Sequence, residues 1–158
     1  MFSRIKADIA RLYSGRISLR TLVRGLLSQG FHAIMVYRFF HWFWVKGISA
    51  QPFRFVMERF IEITTGISIP AECRIGKGFL IHHFGGIILH PSVEIGENCT
   101  MYHQVTIGDC GGSGGSAKIG NNVMIGAGAK LVGEVVIGDD SKFGANAVVK
   151  TCPQNPLL

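Results

Sequence analysis

Four histidines fall within a short run of this 158-residue chain: His82 and His83 side by side, then His90 and His103. A neutral imidazole can take the proton from a hydroxyl as that hydroxyl attacks an electrophile, and it is regenerated near neutral pH, so a general base is the first chemistry these residues suggest. Neighbours on an extended strand point to opposite faces, so one member of the His82–His83 pair would meet a substrate. His83 is the leading candidate and His82 the alternative. His103 either lines the same cleft or fills structure. The cysteines offer less: Cys73, Cys99, Cys110 and Cys152 form no C-x-x-C pair and no metal-like cluster, and nothing in them calls for an oxidising compartment. Lys118, Lys130 and Lys142 recur every twelve residues in the manner of a phosphate-binding ladder.

What must position these groups is a six-residue repeat. Counting in sixes, Ile69, Ile75 and Ile81, then Ile95, Met101 and Ile107, then Ile119, Ile125, Leu131, Ile137, Phe143 and Val149 fill twelve register positions, all apolar. Two residues before them stand small or β-branched side chains: Cys73, Val93, Cys99, Val105, Ala117, Val123, Ala129, Val135, Ser141 and Ala147. One bulky and one small inward residue per hexapeptide is what a narrow triangular solenoid needs, because only alternating sizes fill its axis without voids. Glycine follows the bulky residue at Gly76, Gly96, Gly108, Gly120, Gly126 and Gly138, where a corner demands a sharp bend or a positive φ. The pattern predicts a mainly β fold, a left-handed parallel β-helix; at three hexapeptides per triangular coil it has about four coils. A coil of about eighteen residues would also put the three lysines on different faces and break up the apparent ladder.

The register slips twice. Ile81 and Ile95 are fourteen residues apart, and the slip contains His82, His83, Gly85, Gly86 and His90. Between Ile107 and Ile119 the chain reads GDCGGSGGSAK, with nothing apolar at position 113. A solenoid absorbs such departures as surface loops, which is where function concentrates. The first slip exposes His83.

The region before the solenoid is different. Residues 4–13, 18–28, 31–45 and 53–64 have helical spacing of apolar residues, broken at Gly15, Gly30 and Gly47-Ile48-Ser49. Helices here would cover the open first coil. The chain thus divides into an α-helical N-terminal region (1–66), the β-helix (67–151) and a short tail (152–158). Hydrophobic residues at 47% exclude a disordered chain. The formal charge of +6 is weighted towards the N-terminal region; it reads as a solvated helix face, with peripheral membrane contact as an alternative use of the basic, aromatic N-terminus, and nucleic acid is not expected. Residues 31–45 are strongly apolar, but about 20 residues are needed to span a bilayer, so a buried or interfacial helix is expected there. Arg4, Lys6, Asp8 and Arg11 interrupt any signal-like core, and a cytoplasmic location is expected.

The stretch GFHAIMVYRFFHWFW followed by the repeat, the His82-His83 doublet, VTIG and IGAGAKLVG resembles the bacterial serine acetyltransferases, within the hexapeptide-repeat acyltransferases, over roughly residues 30–150. The resemblance implies acetyl transfer from acetyl-CoA to a hydroxyl, in a homo-oligomer built on a trimer with sites between neighbouring β-helices. It places the family's catalytic histidine at His83. The family's serine-binding aspartate before it is His82 here, and the aspartate that orients the base falls at Ser68. It assigns coenzyme A contacts to backbone near Ala127, Lys130 and Ala145, and to Gly108 and Asp109 at the start of the Gly-rich loop. Counterparts of the family's histidine closing that loop and of its acidic Asp-Pro segment are absent, and CPQNPLL stands where a Gly-x-Pro-Ala tail follows in the family.

On this reading the acceptor is L-serine, giving O-acetylserine for cysteine synthesis, or a sugar hydroxyl of a surface polysaccharide, since the carboxylates that grip an amino acid are missing. Backbone amides around Gly85-Gly86, or of a neighbour's 108–115 loop, would stabilise the oxyanion. A zinc site like that of the γ-class carbonic anhydrases would need histidines five residues apart on adjacent corners; His82, His83, His90 and His103 contain no such pair, and no metal is expected. The other class of function consistent with the repeat is a non-catalytic β-helix serving assembly or binding.

Overall fold

The computed structural model describes residues 1–13, 23, 25, 27–111 and 115–152. Among the described residues the helices with stated bounds are α1 (Phe2–Leu12), α2 (Gln29–Val45) and α3 (Phe53–Thr65). Most of the helix expected over 18–28 and most of the 152–158 tail lie outside the described residues. Helix α3 stops at Gly66, whose left-handed φ of 66° lets the chain turn straight into the first strand.

The rest is the β-helix. The first coil holds β1 (Ile67–Ser68), β2 (Arg74–Ile75) and β3 (Leu80–Ile81), and the second β4 (Ile87–Leu89), β5 (Glu94–Ile95) and β6 (Thr100–Met101). The third holds β7 (Thr106–Gly108), β8 (Lys118–Ile119) and β9 (Met124–Ile125), the fourth β10 (Lys130–Gly133), β11 (Val136–Ile137) and β12 (Lys142–Phe143), and β13 (Val148–Thr151) follows. All pairing is parallel, in three sheets ordered β1-β4-β7-β10-β13, β11-β8-β5-β2 and β12-β9-β6-β3. The solenoid is a left-handed β-helix of about four turns. Its axis is filled as the repeat predicts: Ile75, Ile95, Met101, Ile107, Ile125 and Leu131 alternate with Cys73, Val93, Cys99, Val105, Val123 and Ala129, all buried. Leu89, which is buried and paired with Ile107, supplies a register position inside the first slip. The two extra residues therefore belong to the loop between β3 and β4.

Four of the six glycines after the bulky residues answer to crowding rather than to backbone angle, and Gly108 and Gly138 stand in the open. Gly76, Gly96, Gly120 and Gly126 do not take positive φ. They are small because the next coil's backbone passes close by: a methyl group at Gly96 would stand 2.5 Å from the Gly120 carbonyl oxygen. Positive φ falls instead on corner residues such as Asn98, Asn122, Asp140 and Asn146, types that tolerate it best.

Helix α2 closes the open end of the solenoid. A first coil leaves backbone groups with no strand below to receive them. Tyr37 donates its hydroxyl to the Cys73 carbonyl at 2.7 Å and accepts from the Ile75 amide at 3.2 Å. Arg38 donates to the Ile75 carbonyl at 2.6 Å and the Gly76 carbonyl at 2.5 Å, and Nδ1 of His41 meets the Ala71 carbonyl at 2.8 Å. Residues i, i+1 and i+4 of one helix thus satisfy the edge. Burial pushes the Tyr37 hydroxyl up to about 12. Helix α2 also packs against α3, where buried Phe40 meets Phe53 with ring centres 5.7 Å apart; Phe39, Trp42, Trp44 and Val45 are exposed. Among the described residues no helix is long and apolar enough to cross a membrane.

The cysteines divide into two kinds. Cys73 and Cys99 are buried and free, and burial pushes the Cys73 thiol up to about 12, so they pack as small apolar groups. Cys110 and Cys152 are joined by a disulfide, a pairing that the reading of no C-x-x-C pair and no call for an oxidising compartment did not foresee. Sequence spacing could not reveal it, because the coil brings the end of β13 beside the exit of β7.

Candidate active site

Each residue of the solenoid stacks on the residue one coil away, so a site here is a column. The pairings of Ile81 with Met101, Met101 with Ile125 and Ile125 with Phe143 set the corner that follows. Two residues beyond them stand His103, Ala127 and Ala145, one above another; in the first coil the two-residue insertion brings Gly85 to this level, and His83 stands beside it with its ring centre 5.6 Å from that of His103. Backbone hydrogen bonds run up this corner: the Gln104 amide to the Gly85 carbonyl (2.9 Å), the Gly128 amide to the His103 carbonyl (2.9 Å) and the Asn146 amide to the Ala127 carbonyl (2.7 Å). The candidate base and two residues assigned to coenzyme A thus share one edge.

His83 is exposed and takes φ of 68°, a conformation uncommon for residues with a Cβ and often found at functional sites. Its surroundings are aromatic and imidazole rings. His103 meets it edge-on, with ring centres 5.6 Å apart and planes at 85°, and Tyr102 lies 6.4 Å away. His82 turns to the other side and stacks on Tyr102 at 5.0 Å. Burial, the neighbouring His83 and the Arg11 guanidinium hold His82 below the ordinary imidazole range. Beyond the pair stands the exposed Phe84 and then glycine: Gly85 and Gly86 both have positive φ, and a side chain at Gly85 would meet nothing within 4 Å.

The remaining expected residues are spread further. Ser68 faces a cavity of about 390 Å³ between α3 and the first coil, with Arg54, Glu58, Glu62 and Glu72 on its walls. It pairs with Ile88, five residues past His83, and among the described residues no hydrogen bond joins it to His83. Lys118, Lys130 and Lys142 lie in three different sheets, as the coil length predicts. The Lys130 ammonium donates to the Gln104 carbonyl at 2.6 Å and the Thr106 hydroxyl at 3.1 Å, which fastens the third coil to the fourth. Gly108 ends β7, Asp109 follows it half-buried, and the far end of the Gly-rich loop is held by the Gly115 amide donating to Glu134 at 2.8 Å. Among the described residues no group of three or more histidine, cysteine or acidic side chains is arranged to hold a metal ion.

Tyr102 went unrecognised in the sequence. The signal was available: it follows Met101 as His82 follows Ile81, so a register count stacks the two rings.

Comparison with known proteins agrees with this architecture. Residues 116–151 match the family model described as bacterial transferase hexapeptide (six repeats). The chain is 39% identical over 129 residues to a serine acetyltransferase of Helicobacter pylori, covering 78% of this chain and 72% of that protein. This chain belongs to the serine acetyltransferase family. It is 40% identical over 132 residues to the serine acetyltransferase of Mycobacterium tuberculosis, covering 82% of this chain and 57% of the relative. The chain thus spans little more than half the length of that curated relative. Among solved structures it resembles the serine acetyltransferase of Brucella abortus in complex with coenzyme A, with a TM-score of 0.83 and 30% identity, covering 98% of this chain and 62% of the other. A serine acetyltransferase isoform of Entamoeba histolytica in complex with cysteine gives a TM-score of 0.79 at 28% identity, covering 97% of this chain and 59% of the other.

Proposed function

We propose that the chain is an acetyl-CoA-dependent O-acetyltransferase with His83 as general base. The observation that carries this reading is the exposed His83 with the His103 ring 5.6 Å away, at the foot of a corner that continues through the small residues Ala127 and Ala145 (half-buried and exposed, respectively), along which the pantetheine arm would lie. In the reaction the imidazole takes the acceptor's hydroxyl proton while its oxygen attacks the thioester carbonyl carbon. The carbon–sulfur bond then breaks, and the coenzyme A thiolate leaves and recovers the proton from the imidazolium. No covalent enzyme intermediate is required when both substrates meet in one cleft. Amides beside Gly85-Gly86, or of a neighbour's Gly108–Asp109 loop, would receive the oxyanion. His82 is an acceptor-side residue in this scheme, while Ser68, where the family pattern puts the orienting group, lines the cavity between α3 and the first coil.

L-serine is the acceptor that family membership favours. A sugar hydroxyl of a surface polysaccharide is the second reading, and one observation favours it: the rings around His83 are those of His82, Tyr102 and His103, uncharged when neutral and suited to a sugar face. An amino acid's ammonium and carboxylate would want placed counter-charges. Assembly as a trimer, with sites between copies, completes the proposal, together with a cytoplasmic location in which the Cys110–Cys152 pair would be held reduced. The exposed Trp42, Trp44, Phe55 and Phe60 support peripheral membrane contact if assembly leaves them uncovered.

A thiol-release assay with acetyl-CoA tests it, comparing the wild type with His83→Ala on L-serine, nucleotide-sugar and lipid-linked acceptors. Turnover abolished by the substitution supports the mechanism; equal rates overturn it. Turnover only with sugars retires the serine reading, and none with any acceptor favours a non-catalytic β-helix module.

A further inference from the structure

The ring packed against His83 carries an unmet need of its own. Nδ1 of His103 is buried and has no hydrogen-bond partner, a state that costs free energy unless a partner arrives. The backbone beneath it is held, because the His103 carbonyl accepts from Gly128 at 2.9 Å and the neighbouring Gln104 amide donates to Gly85 at 2.9 Å. The residue is thus anchored on the corner, and its ring lies 5.6 Å from that of His83 and nearly perpendicular to it. A hydrogen bond of about 3 Å between two imidazole nitrogens puts the ring centres roughly 5 Å apart, so a modest rotation of the exposed His83 side chain closes the contact.

We propose that His103 is the positioning residue for the His83 base, its Nδ1 accepting the N–H of the His83 nitrogen that faces away from the acceptor. This rests on the reading of His83 as the base. The arrangement holds His83 in the tautomer whose other nitrogen is free to take the acceptor's proton. It also lets a neutral imidazole share the charge that appears when His83 becomes protonated. Ser68 makes no hydrogen bond to His83 among the described residues and faces a different cavity, which leaves this task to the neighbouring coil. The other groups around the pair are Tyr102 and His82, with the Arg11 guanidinium acting on His82 from α1.

The test compares His103→Phe, which keeps a ring without nitrogen, with His103→Gln, whose amide oxygen can accept, using His83→Ala as reference. His103→Phe is expected to lower kcat about ten- to a hundredfold with KM for acetyl-CoA within about twofold of wild type. It is also expected to move the acid limb of the kcat/KM profile to lower pH, because the imidazolium loses its acceptor. His103→Gln should stay within a few-fold of wild type. Wild-type kcat in His103→Phe, an acid limb unmoved or moved to higher pH, or a Gln variant as slow as Phe overturns the proposal. Should His103→Phe melt well below the wild type, proton NMR titration of the His83 ring in wild type and His103→Gln decides. A His83 titration that stays the same in the Gln variant supports the role; one that falls to lower pH overturns it. Inactive His83→Ala beside a normal His103→Phe sinks this inference alone, whereas active His83→Ala sinks the underlying mechanism as well.

Discussion

The carboxylate of Asp8 on α1 and the guanidinium of Arg38 on α2 form an ion pair at 2.9 Å with both residues about 2% exposed. The same carboxylate accepts from the Phe79 amide at 2.9 Å, while Arg38 reaches the Ile75 and Gly76 carbonyls. Two helices and the first coil are thus tied by two side chains. Breaking a buried pair from one side leaves the other charge uncompensated, at about 3–5 kcal/mol. Asp8→Asn is expected to lose stability on this scale in urea unfolding, and a loss below about 1 kcal/mol would show that the pair is solvated.

Glycines divide into those pressed by the next coil and those in the open. A methyl at Gly96 would lie 2.5 Å from a carbonyl oxygen, whereas one at Gly138 would meet nothing within 4 Å. Gly96→Ala should cost about 1–3 kcal/mol through overpacking, and Gly138→Ala should be close to neutral. Thermal melts of the two variants side by side check the contrast; equal shifts would contradict it.

Two histidines set a pH dependence of stability. His41 is lowered chiefly by burial, and His82 by burial and then by His83 and Arg11. A histidine with a lowered folded-state pKa binds fewer protons folded than unfolded below about pH 6.5, so stability rises with pH there. Its contribution is complete above the unfolded value and is lost as pH falls from there through the folded value. Urea midpoints measured from pH 7.5 down to 5 should fall more steeply for the wild type than for a His41→Gln, His82→Gln double variant. Parallel slopes would contradict this.

The Cys110–Cys152 disulfide closes a loop across a sequence separation of 42. Chain-entropy arguments value such a closure at about 4 kcal/mol, commonly less in practice. Cys152→Ser, or reduction, should lower stability by about 2–4 kcal/mol. Protein purified without reductant and then denatured should titrate two thiols, from the buried Cys73 and Cys99, and four after reduction. Four before reduction would mean that the pair does not form.

The repeat made the solenoid readable because a narrow axis admits only one alternation of inward sizes. Ile75 and Cys73, or Ile125 and Val123, announce their direction through identity alone. Leu89 was equally regular, yet hidden, because the slip after Ile81 broke the count that would have placed it. His83 was legible through the same slip. Its partner was not: the family pattern pointed to Ser68, but Ser68 stacks against Ile88 while the ring that reaches His83 comes from the next coil.

The sequence by itself determined the coil, its inward faces, the separation of Lys118, Lys130 and Lys142 onto different sheets, and the exposed histidine corner. Each of these follows from periodicity, which is local. Only the tertiary structure decided that Tyr37, Arg38 and His41 close the first coil's backbone, that Cys110 meets Cys152, and that His103 stands against His83. Those contacts join residues tens of positions apart, and their geometry depends on how many residues each loop adds before the chain returns to the same corner.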